Sequence, residues 1–457
     1  MHLDLFKSLP VNELMLLKRL TLVFFLFYYP INVFPQRPDF TAFPDSSIKI
    51  DSIKITGNDV TENYVILREL TFKEGDSVTS KMLDFNRERV FSLGLFNNVQ
   101  MKAENRNGIN YLDIQVDESW YVYPIPFIRF KDKQSSKATY GINFLYKNFR
   151  GRDETLRANL SLGYDPAYTL IYNVPVLFNS QNLGLGFMFN YTDFMNKTNS
   201  GYRFYGGDFE YKGIQSRIYL NCRINQFNLL VGVAGFEYYE APSKIFRSIT
   251  ASDERIDRFP MAGLEYFFDS RDLKQYAAEG TYFGLYYFHK GFSVNGINYN
   301  VLDTDIREYR NFIFGLTWKG RIKARTLIGE NVPLYDYSLL GYDEDIRGNS
   351  QITLDGRTIM LFSTELSFPI VKEWDFRIKL PLLPESLTSA RLGIQAAVFA
   401  DAGTAFDDYS GFSYHNFVYG WGFGINFLIL PYNGFRIEYA FDQNMKGEIK
   451  IASGFSF

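Results

Sequence analysis

The segment Tyr419–Phe427 constrains the fold more than any other part of this chain, because its large and small side chains strictly alternate. A strand directs successive side chains to opposite faces, so this segment has one aromatic and apolar face and one face of glycine and asparagine. Lipid suits the first face and a crowded barrel interior suits the second. The large face holds Tyr419, Trp421, Phe423, Ile425 and Phe427, and the small face holds Gly420, Gly422, Gly424 and Asn426.

The same two-residue period returns in residues 435–441 and 449–457. In these segments Arg436, Glu438 and Lys450 stand between apolar neighbours, where a polar lumen would accept them. The pattern therefore predicts an all-β transmembrane barrel of antiparallel strands.

Composition excludes several classes of function. The 48 basic and 51 acidic residues give a net charge of −3, which argues against a nucleic-acid partner. The single cysteine, Cys222, excludes an intrachain disulfide and a cysteine-based zinc site. No catalytic motif, metal spacing or cofactor signature is present, so we predict no enzyme activity, no metal and no cofactor. We interpret Asp343–Asp345 as a solvated loop and Asp269–Asp272 as a structural turn.

The N-terminal segment resembles a targeting sequence. Lys18 and Arg19 precede a ten-residue apolar run, residues 20–29, which Pro30 follows. That run is short for a membrane span and fits a signal-peptide core. We predict a signal peptide over residues 1–34 and a proline-containing linker over 35–47. No later run of 18 apolar residues occurs, so no spanning helix is predicted.

Residues 48–118 have the pattern of a small α/β domain of order β-α-α-β-β. A strand is predicted over 48–55, a helix over 62–70 with Thr61 as its N-cap, and a second helix from Thr79 or Ser80 to Gly94. A hairpin of strands 96–101 and 111–116 follows, with Asn107-Gly108 as its turn.

Residues 119–457 are predicted to form the barrel. Seventeen candidate strands occur, and single-chain bacterial barrels have even strand numbers, so about 16 strands are expected. The weakest candidates are 201–211 and 214–223, of which one is a loop extension. The longest late loop covers about 327–355, and a loop of this length is usually functional or disordered.

Several short sequence motifs occur in an order that resembles that of the BamA/TamA-type outer-membrane assembly and translocation barrels, the Omp-eighty-five superfamily. The small domain resembles a POTRA domain. The resemblance covers nearly everything after residue 47. The matching phrases are Ile53–Gly57, Leu93–Val99, Leu112–Glu118, Phe268–Asp272 with Gly280, Leu340–Gly348, Val398–Gly403 and Gly454–Phe457.

The resemblance implies that Arg347 and Gly348 form the tip of a loop that folds back into the lumen. It further implies that acidic residues on two neighbouring strands hold the arginine, and Glu365 and Asp401 are the best matches. Strand parity independently directs both carboxylates inward. The alternative is that the two carboxylates face the lumen only because it is polar, and that neither of them binds the arginine. The family usually has an aromatic residue where this chain has Asn349.

The function implied by the resemblance is non-enzymatic: insertion or translocation of other proteins at the bacterial outer membrane, with the POTRA domain in the periplasm. A weak lateral seam between the first and last strands is predicted from Pro124 and Pro126, which cannot donate ladder hydrogen bonds, and from Gly454. The equally weighted alternative is that the two prolines only mark the junction between the two domains.

Alternative functions are a passive channel or structural subunit of an envelope complex, and a secretion pore for one dedicated partner. The expected partners are outer-membrane lipid, client outer-membrane or secreted proteins, and other envelope assembly subunits. Phe455 and Phe457 are predicted to share a face with Ile449 and Ile451 and to form a C-terminal sorting signal. The alternative is that Phe457 belongs to the aromatic girdle.

Overall fold

The computed structural model describes residues 47–130, 138–164, 166–177, 182–243, 246–247, 249–341, 344–377, 384–408 and 412–457. The predicted signal peptide and all but the last residue of the predicted linker lie outside these residues. Within the described residues, no helix has the length and apolar character needed to cross a membrane.

The N-terminal domain is a three-stranded sheet covered by two helices. The sheet has the order β2-β5-β4, with β2 parallel to β5 and β4 antiparallel to it, and β1 pairs separately with β3. The elements are β1 Ile48–Lys49, β2 Ser52–Thr56, α1 Asn63–Leu67, β3 Ser77–Val78, α2 Ser80–Phe91, β4 Phe96–Arg106 and β5 Ile109–Glu118. The predicted β-α-α-β-β order is present, with the short strand β3 added between the helices.

Local hydrogen bonds decide where the two helices begin. At α2, the Thr79 hydroxyl accepts from the Met82 backbone N–H at 3.3 Å, as an N-cap does. At α1 the predicted Thr61 cap is wrong, because the helix begins at Asn63 and Glu62 precedes it without a side-chain cap. The Thr61 hydroxyl instead donates to the carboxylate of Glu118 at 2.5 Å. A tertiary acceptor has replaced the local one.

Sixteen antiparallel strands form the barrel sheet, in unbroken chain order except that β16 pairs with β19. The small hairpin β17–β18 lies between those two strands. The barrel strands are β6 Val122–Phe130, β7 Ala138–Phe149, β8 Glu154–Gly163, β9 Ala167–Val174, β10 Leu183–Met195, β11 Glu210–Arg223, β12 Asn228–Glu240, β13 Ile256–Asp269, β14 Gly280–Lys290, β15 Tyr299–Asn311, β16 Thr317–Ile328, β19 Thr358–Arg377, β20 Ser389–Phe406, β21 Val418–Leu430, β22 Asn433–Asp442 and β23 Gly447–Ser453. The hairpin strands are β17 Ser338–Leu340 and β18 Leu354–Gly356.

The seventeenth candidate strand is the one that fails. Most of residues 201–211 lie in a loop that contains the short helix α3, Asn199–Tyr205, and β11 begins only at Glu210. The Thr198 hydroxyl caps α3 by accepting from the Gly201 N–H at 2.9 Å. Aromatic residues at alternate positions imitate a strand here, but the Thr198 cap and the left-handed Gly206 (φ 74°) define a helix.

The outward face of the barrel is apolar, as the alternation predicts. On β21 the side chains of Trp421, Phe423 and Ile425 are 42%, 52% and 40% exposed, whereas Gly420 and Asn426 on the other face are buried. Apolar side chains exposed in this regular pattern form the band that lipid covers in a membrane barrel.

The N-terminal domain packs against one end of the barrel, called here the near end. The buried Arg89 of α2 donates from Nη1 to the carbonyl of Asp269 at 3.0 Å and pairs with Glu69 at 3.3 Å. Glu69 also pairs with Arg223, the last residue of β11, at 2.7 Å. Arg89 and Glu69 are therefore buried with partners from each other and from turns and strand ends of the barrel.

This interface predicts a stability that depends on pH. Burial alone would raise the pKa of Glu69, but the charges of Lys274, Arg223 and Arg89 lower it from 4.5 to about 2. A lowered folded-state pKa stabilises above the unfolded value, and this stability is lost as pH falls from 4.5 towards 2. The full loss is about 3 kcal/mol. Urea unfolding of the N-terminal domain in the whole protein, measured from pH 6 to pH 2.5, should show it.

The matched variant Glu69→Gln should unfold at lower urea concentration at pH 6 and should lose most of the pH dependence in the acidic range. Asp59 is on the exposed surface of the same domain, so Asp59→Asn should retain the wild-type pH dependence. Equal acid sensitivity in wild type and Glu69→Gln would contradict the assignment.

Candidate functional site

Residues 329–357, called here the lumen loop, connect β16 to β19 at the far end of the barrel and turn back into its interior. Residues 342 and 343 of this loop are outside the described part. The hairpin β17–β18 closes the loop on itself, with Ser338 opposite Gly356. Ile346 and Leu340 pack with Ile359 and Leu361 of β19 in a buried apolar cluster. The loop is thus a packed element of the lumen.

Arg347 at the loop tip is held by three acidic side chains. Its Nε and Nη2 donate to the two carboxylate oxygens of Asp401 at 2.7 and 2.8 Å, and its backbone N–H also donates to that carboxylate at 3.1 Å. Its Nη1 donates to Glu365 at 2.9 Å and reaches Glu438 at 3.4 Å. The guanidinium lies 3.7 Å from the centre of the Phe399 ring. A planar fork with five donors suits this arrangement better than a lysine would.

The structure thus brings together Arg347, Glu365 and Asp401, and the loop geometry explains two glycines beside them. Gly348 has φ 88°, and a Cβ there would lie 2.4 Å from the carbonyl oxygen of Phe441. At Gly420, on the small face of β21, a Cβ would lie 2.1 Å from the carbonyl oxygen of Arg347. The loop backbone can approach the barrel wall only because both positions lack a side chain.

Asn349 occupies the position where the resemblance leads us to expect an aromatic residue. Its side chain is buried, and its amide donates to the carbonyl of Tyr419 at 3.1 Å. A hydrogen bond to the wall therefore replaces a ring contact at this position.

The site also contains Glu438, Lys319 and Arg436, which no sequence motif assigns to it. Lys319 donates to Glu365 at 3.1 Å, and Arg436 donates to Glu438 at 3.0 Å. The cluster then contains three cations and three carboxylates joined by direct contacts. Strand parity signals that Arg436 and Glu438 point inward, but it cannot identify which charges meet across the lumen.

The acidic run at the loop tip is also bound, so its interpretation as a solvated loop is wrong. Glu344 accepts from Arg321 and Lys323 of β16, each at 2.7 Å, and Asp345 contacts Lys450 of β23. Asp343 lies outside the described residues. These acids face a basic wall that belongs to strands distant in sequence.

A second anchor holds the beginning of the lumen loop. The Tyr335 ring stacks on Tyr239 with 4.0 Å between ring centres, and its hydroxyl donates to Asp257 at 2.7 Å. Asp336 accepts from Lys290 at 2.8 Å and from Arg325 at 2.7 Å. The loop is therefore fixed at two points, Tyr335–Asp336 and Arg347.

The predicted turn around Asp269–Asp272 is structural, as interpreted. Arg271 pairs with Asp269 at 2.8 Å, and the carboxylate of Asp272 accepts from the backbone N–H groups of Leu273, Ala278 and Glu279. These bonds shape the turn and bring Tyr276 into the barrel base, where Lys319 lies 3.7 Å from the centre of its ring.

The first and last strands of the barrel, β6 and β23, are the two ends of the hydrogen-bonded strand order. Across the described ranges, no backbone ladder joins β6 to β23. Pro124 and Pro126 lie within β6, and Ile449 and Ile451 of β23 are 73% and 66% exposed, more than the lipid-facing residues of β21. The rings of Tyr123 and Tyr432 approach to 6.4 Å beside this boundary.

The C-terminal residues depart from the predicted strand. β23 ends at Ser453, and Gly454 has φ 93°, so the chain bends there. Phe455 then packs on Tyr276 with 5.4 Å between ring centres. The prediction that Phe455 shares the face of Ile449 and Ile451 is wrong, because the left-handed glycine breaks the alternation. The sorting role of Phe455 and Phe457 stays a prediction.

Among the described residues, no group of three or more His, Cys, Asp or Glu side chains is arranged to hold a metal ion. The clustered carboxylates are instead neutralised by Arg and Lys partners.

Comparisons with known proteins give the family of the N-terminal domain and the fold of the chain. Residues 48–119 match the family described as "POTRA: Surface antigen variable number repeat" and form a POTRA domain. Over whole sequences, no curated protein matches the chain. Two solved structures have a similar fold: BamA from Haemophilus ducreyi lacking POTRA domains 1–3, and CdiB from Escherichia coli.

The alignment with BamA has 15% identity and a TM-score of 0.52, and it covers 89% of this chain and 84% of that chain. The alignment with CdiB has 10% identity and a TM-score of 0.52, and it covers 89% and 75% of the two chains. The chain thus shares the fold of these structures, and in this chain one POTRA domain precedes a sixteen-stranded barrel.

Removing the arginine should release the lumen loop. Arg347→Ala leaves the buried carboxylate of Asp401 without its cationic partner and leaves Glu365 with Lys319 alone, which costs about 3–5 kcal/mol. The measurement is the rate of maleimide labelling at Ile346→Cys, a buried loop position, in a Cys222→Ala background. Labelling should accelerate by about 100-fold or more in Arg347→Ala.

The labelling rate of Arg347→Lys should lie between those of the wild type and Arg347→Ala, because lysine keeps the charge but lacks the planar guanidinium group. The matched control is Arg310→Ala, which removes an exposed arginine paired with Glu308 at the barrel surface. Labelling that stays slow in Arg347→Ala would show that the apolar cluster, and not the arginine, retains the loop.

Proposed function

We propose that this protein is an outer-membrane barrel that inserts or translocates other proteins, with its POTRA domain in the periplasm. The observation that carries the proposal is the boundary between β6 and β23, where the described strands form no ladder although every other neighbouring pair in the sheet does. A barrel that only encloses a pore gains stability from a complete ladder, whereas one that offers strand edges to a client needs a place to open.

The residues at this boundary support opening. Pro124 and Pro126 remove two backbone donors from β6, and proline within a sheet is confined to edge strands and bulges. β23 has seven residues, fewer than the 9–11 needed for a spanning strand, and Gly454 ends it with a bend. An incoming strand would replace few hydrogen bonds when it adds to either edge.

The POTRA domain supplies a further edge. Its sheet ends in β2 on one side and β4 on the other. The carboxylate of Glu74 accepts from the Ile53 N–H at 2.8 Å and so blocks part of the β2 edge. On the β4 side, Asn97 at the start of the strand donates to the carbonyl of Ser386 at 2.7 Å. The rest of β4 supports the docking of an extended client segment by strand addition.

The lumen loop favours this function over a permanently open channel. Two anchors and the apolar cluster of Ile346 and Leu340 join the loop to the inner wall of the barrel, and we infer that it obstructs the lumen. A passive channel or structural subunit, and a secretion pore for one dedicated partner, are the alternative functions. Conductance of the loop-deleted barrel and the identity of co-purified proteins separate these alternatives. Loss of many outer-membrane proteins on depletion supports an insertase, and loss of one secreted protein supports a dedicated pore.

A crosslink across the seam tests lateral opening. Cysteines at positions 124–128 of β6 are paired with cysteines at 449–453 of β23 in the Cys222→Ala protein, and a short thiol crosslinker joins them. Crosslinking should abolish growth supported by the protein, and reduction of a cleavable linker should restore it.

The matched control joins β23 to its other neighbour, β22, through Ile437→Cys and Ile451→Cys, which lie directly opposite each other. This crosslink leaves the seam free and should permit full activity. Full activity in the seam-crosslinked barrel would contradict lateral opening and would favour a pore that works through the lumen.

A further inference from the structure

The turn between β15 and β16 has an unusual surface for the near end of the barrel. Its side chains Phe312, Ile313 and Phe314 are 54%, 76% and 85% exposed. From Asn311 to Trp318 the sequence contains no ionisable residue. Exposed apolar residues that occur singly need no explanation, but three consecutive ones at the tip of a turn indicate a contact outside the chain.

The backbone conformation of this turn is also unfavourable for Phe314, which lies at its tip. Phe314 has φ 61° and ψ 18°, Gly315 has φ 76°, and the Leu316 N–H donates to the carbonyl of Ile313 at 3.3 Å. Two-residue turns with positive φ at both central positions prefer Asn-Gly, because asparagine tolerates the left-handed region. A phenylalanine there is a conformational outlier. The backbone at Phe314 is therefore strained, and its ring is exposed.

Other turns at the near end behave differently. The turn at residues 150–153 contacts Glu62 through the Gly151 carbonyl and Arg152, and the carbonyl of Gln226 accepts from Arg89. In the turn at 270–279, the Lys274 N–H donates to Ser92 at 2.9 Å. These turns are polar and lie against the POTRA domain. Within the described residues, no hydrogen bond or ion pair connects residues 312–316 to that domain.

The apolar turn continues the lipid-facing band of the barrel wall. Gly315 lies beside Pro369 of β19, where a Cβ on the glycine would be 3.1 Å from the proline Cγ. On the same strand, the outward side chains of Leu366 and Phe368 are 40% and 47% exposed. The apolar surface therefore continues from the wall along β19 to the tip, and the exposed Arg310, paired with Glu308, lies beside it on β15. The continuity with the lipid-facing band favours lipid as the occupant of this patch.

We propose that the turn Phe312–Leu316 inserts into the acyl-chain region of the adjacent membrane leaflet. Its occupant is phospholipid, and the leaflet is the periplasmic one under the proposed function. The inference rests on the membrane placement of that function and not on the handling of clients. The turn anchors the side of the barrel formed by β15, β16 and β19, away from the boundary between β6 and β23.

A depth measurement tests this proposal with the full chain. Phe314→Cys in the Cys222→Ala background is labelled with an environment-sensitive fluorophore and folded into phosphatidylethanolamine–phosphatidylglycerol vesicles. The vesicles contain phospholipids with a nitroxide quencher on the acyl chain. Phe423→Cys marks the lipid-facing band, and Lys102→Cys on the POTRA surface marks water. Quenching at position 314 should match that at 423 and should greatly exceed that at 102.

The label at Ile313→Cys provides the same readout if the Phe314 variant does not fold, because both residues belong to the exposed tip. Quenching at 423 with none at 313 and 314 would overturn the inference and leave the proposed membrane placement intact. It would then indicate that the tip is a contact for another protein, absent from the vesicles. Absence of quenching at all three positions, 314, 313 and 423, would overturn the membrane placement and the inference together.

Discussion

The position of the lumen loop depends on the charge balance around Arg347. Three cations, Arg347, Lys319 and Arg436, meet three carboxylates in the barrel interior. Each of these charges would be costly to bury alone, and the set is tolerated because every member has an opposite partner. The cluster joins four of the sixteen barrel strands, β16, β19, β20 and β22, to the loop. The Arg347 guanidinium contacts the last three directly, and Lys319 of β16 joins through Glu365.

Such a cluster contributes more to specificity than to net stability. Buried ion pairs often add little to the free energy of folding compared with well-packed apolar groups, but loss of one partner is strongly destabilising. A loop retained in this way is either fully engaged or clearly released. The stacked Tyr335 and the buried Ile346 add apolar contacts that do not depend on charge. Release of the loop therefore requires both kinds of contact to break.

The turns at the near end of the barrel differ in composition according to whether they contact the POTRA domain. Where the POTRA domain packs, the turns contain charged residues and backbone carbonyls that bind Arg89, Glu62 and Ser92. Where that domain is absent, the turn at Phe312–Leu316 is apolar throughout. The POTRA domain is held on one part of the rim by Glu69 and Arg89, whose charges are buried at the interface. The boundary between β6 and β23 lies at neither of these two charged residues.

Local rules were sufficient for much of this architecture. The alternation of large and small residues identifies the strands and their lipid face, and the same parity directs Glu365, Asp401 and Glu438 into the lumen. Asn107-Gly108 identifies its hairpin, and its two residues have the expected positive φ values of 55° and 85°. These features depend on neighbouring residues, and a single sequence contains that information. The errors arise where tertiary contacts override local signals, as at Thr61, which binds Glu118 instead of capping a helix.

The sequence by itself determined the class of fold, the POTRA domain and the inward direction of the charged side chains, because each follows from periodicity or from a local phrase. The tertiary structure alone decided which charges meet: Lys319 with Glu365, Glu344 with Arg321, and Lys450 with Asp345. It also decided that β6 and β23 share no ladder in the described residues, and that the strained turn at Phe314 faces outward. These contacts join residues far apart in the chain, so strand register and barrel closure, which no local pattern encodes, select the partners.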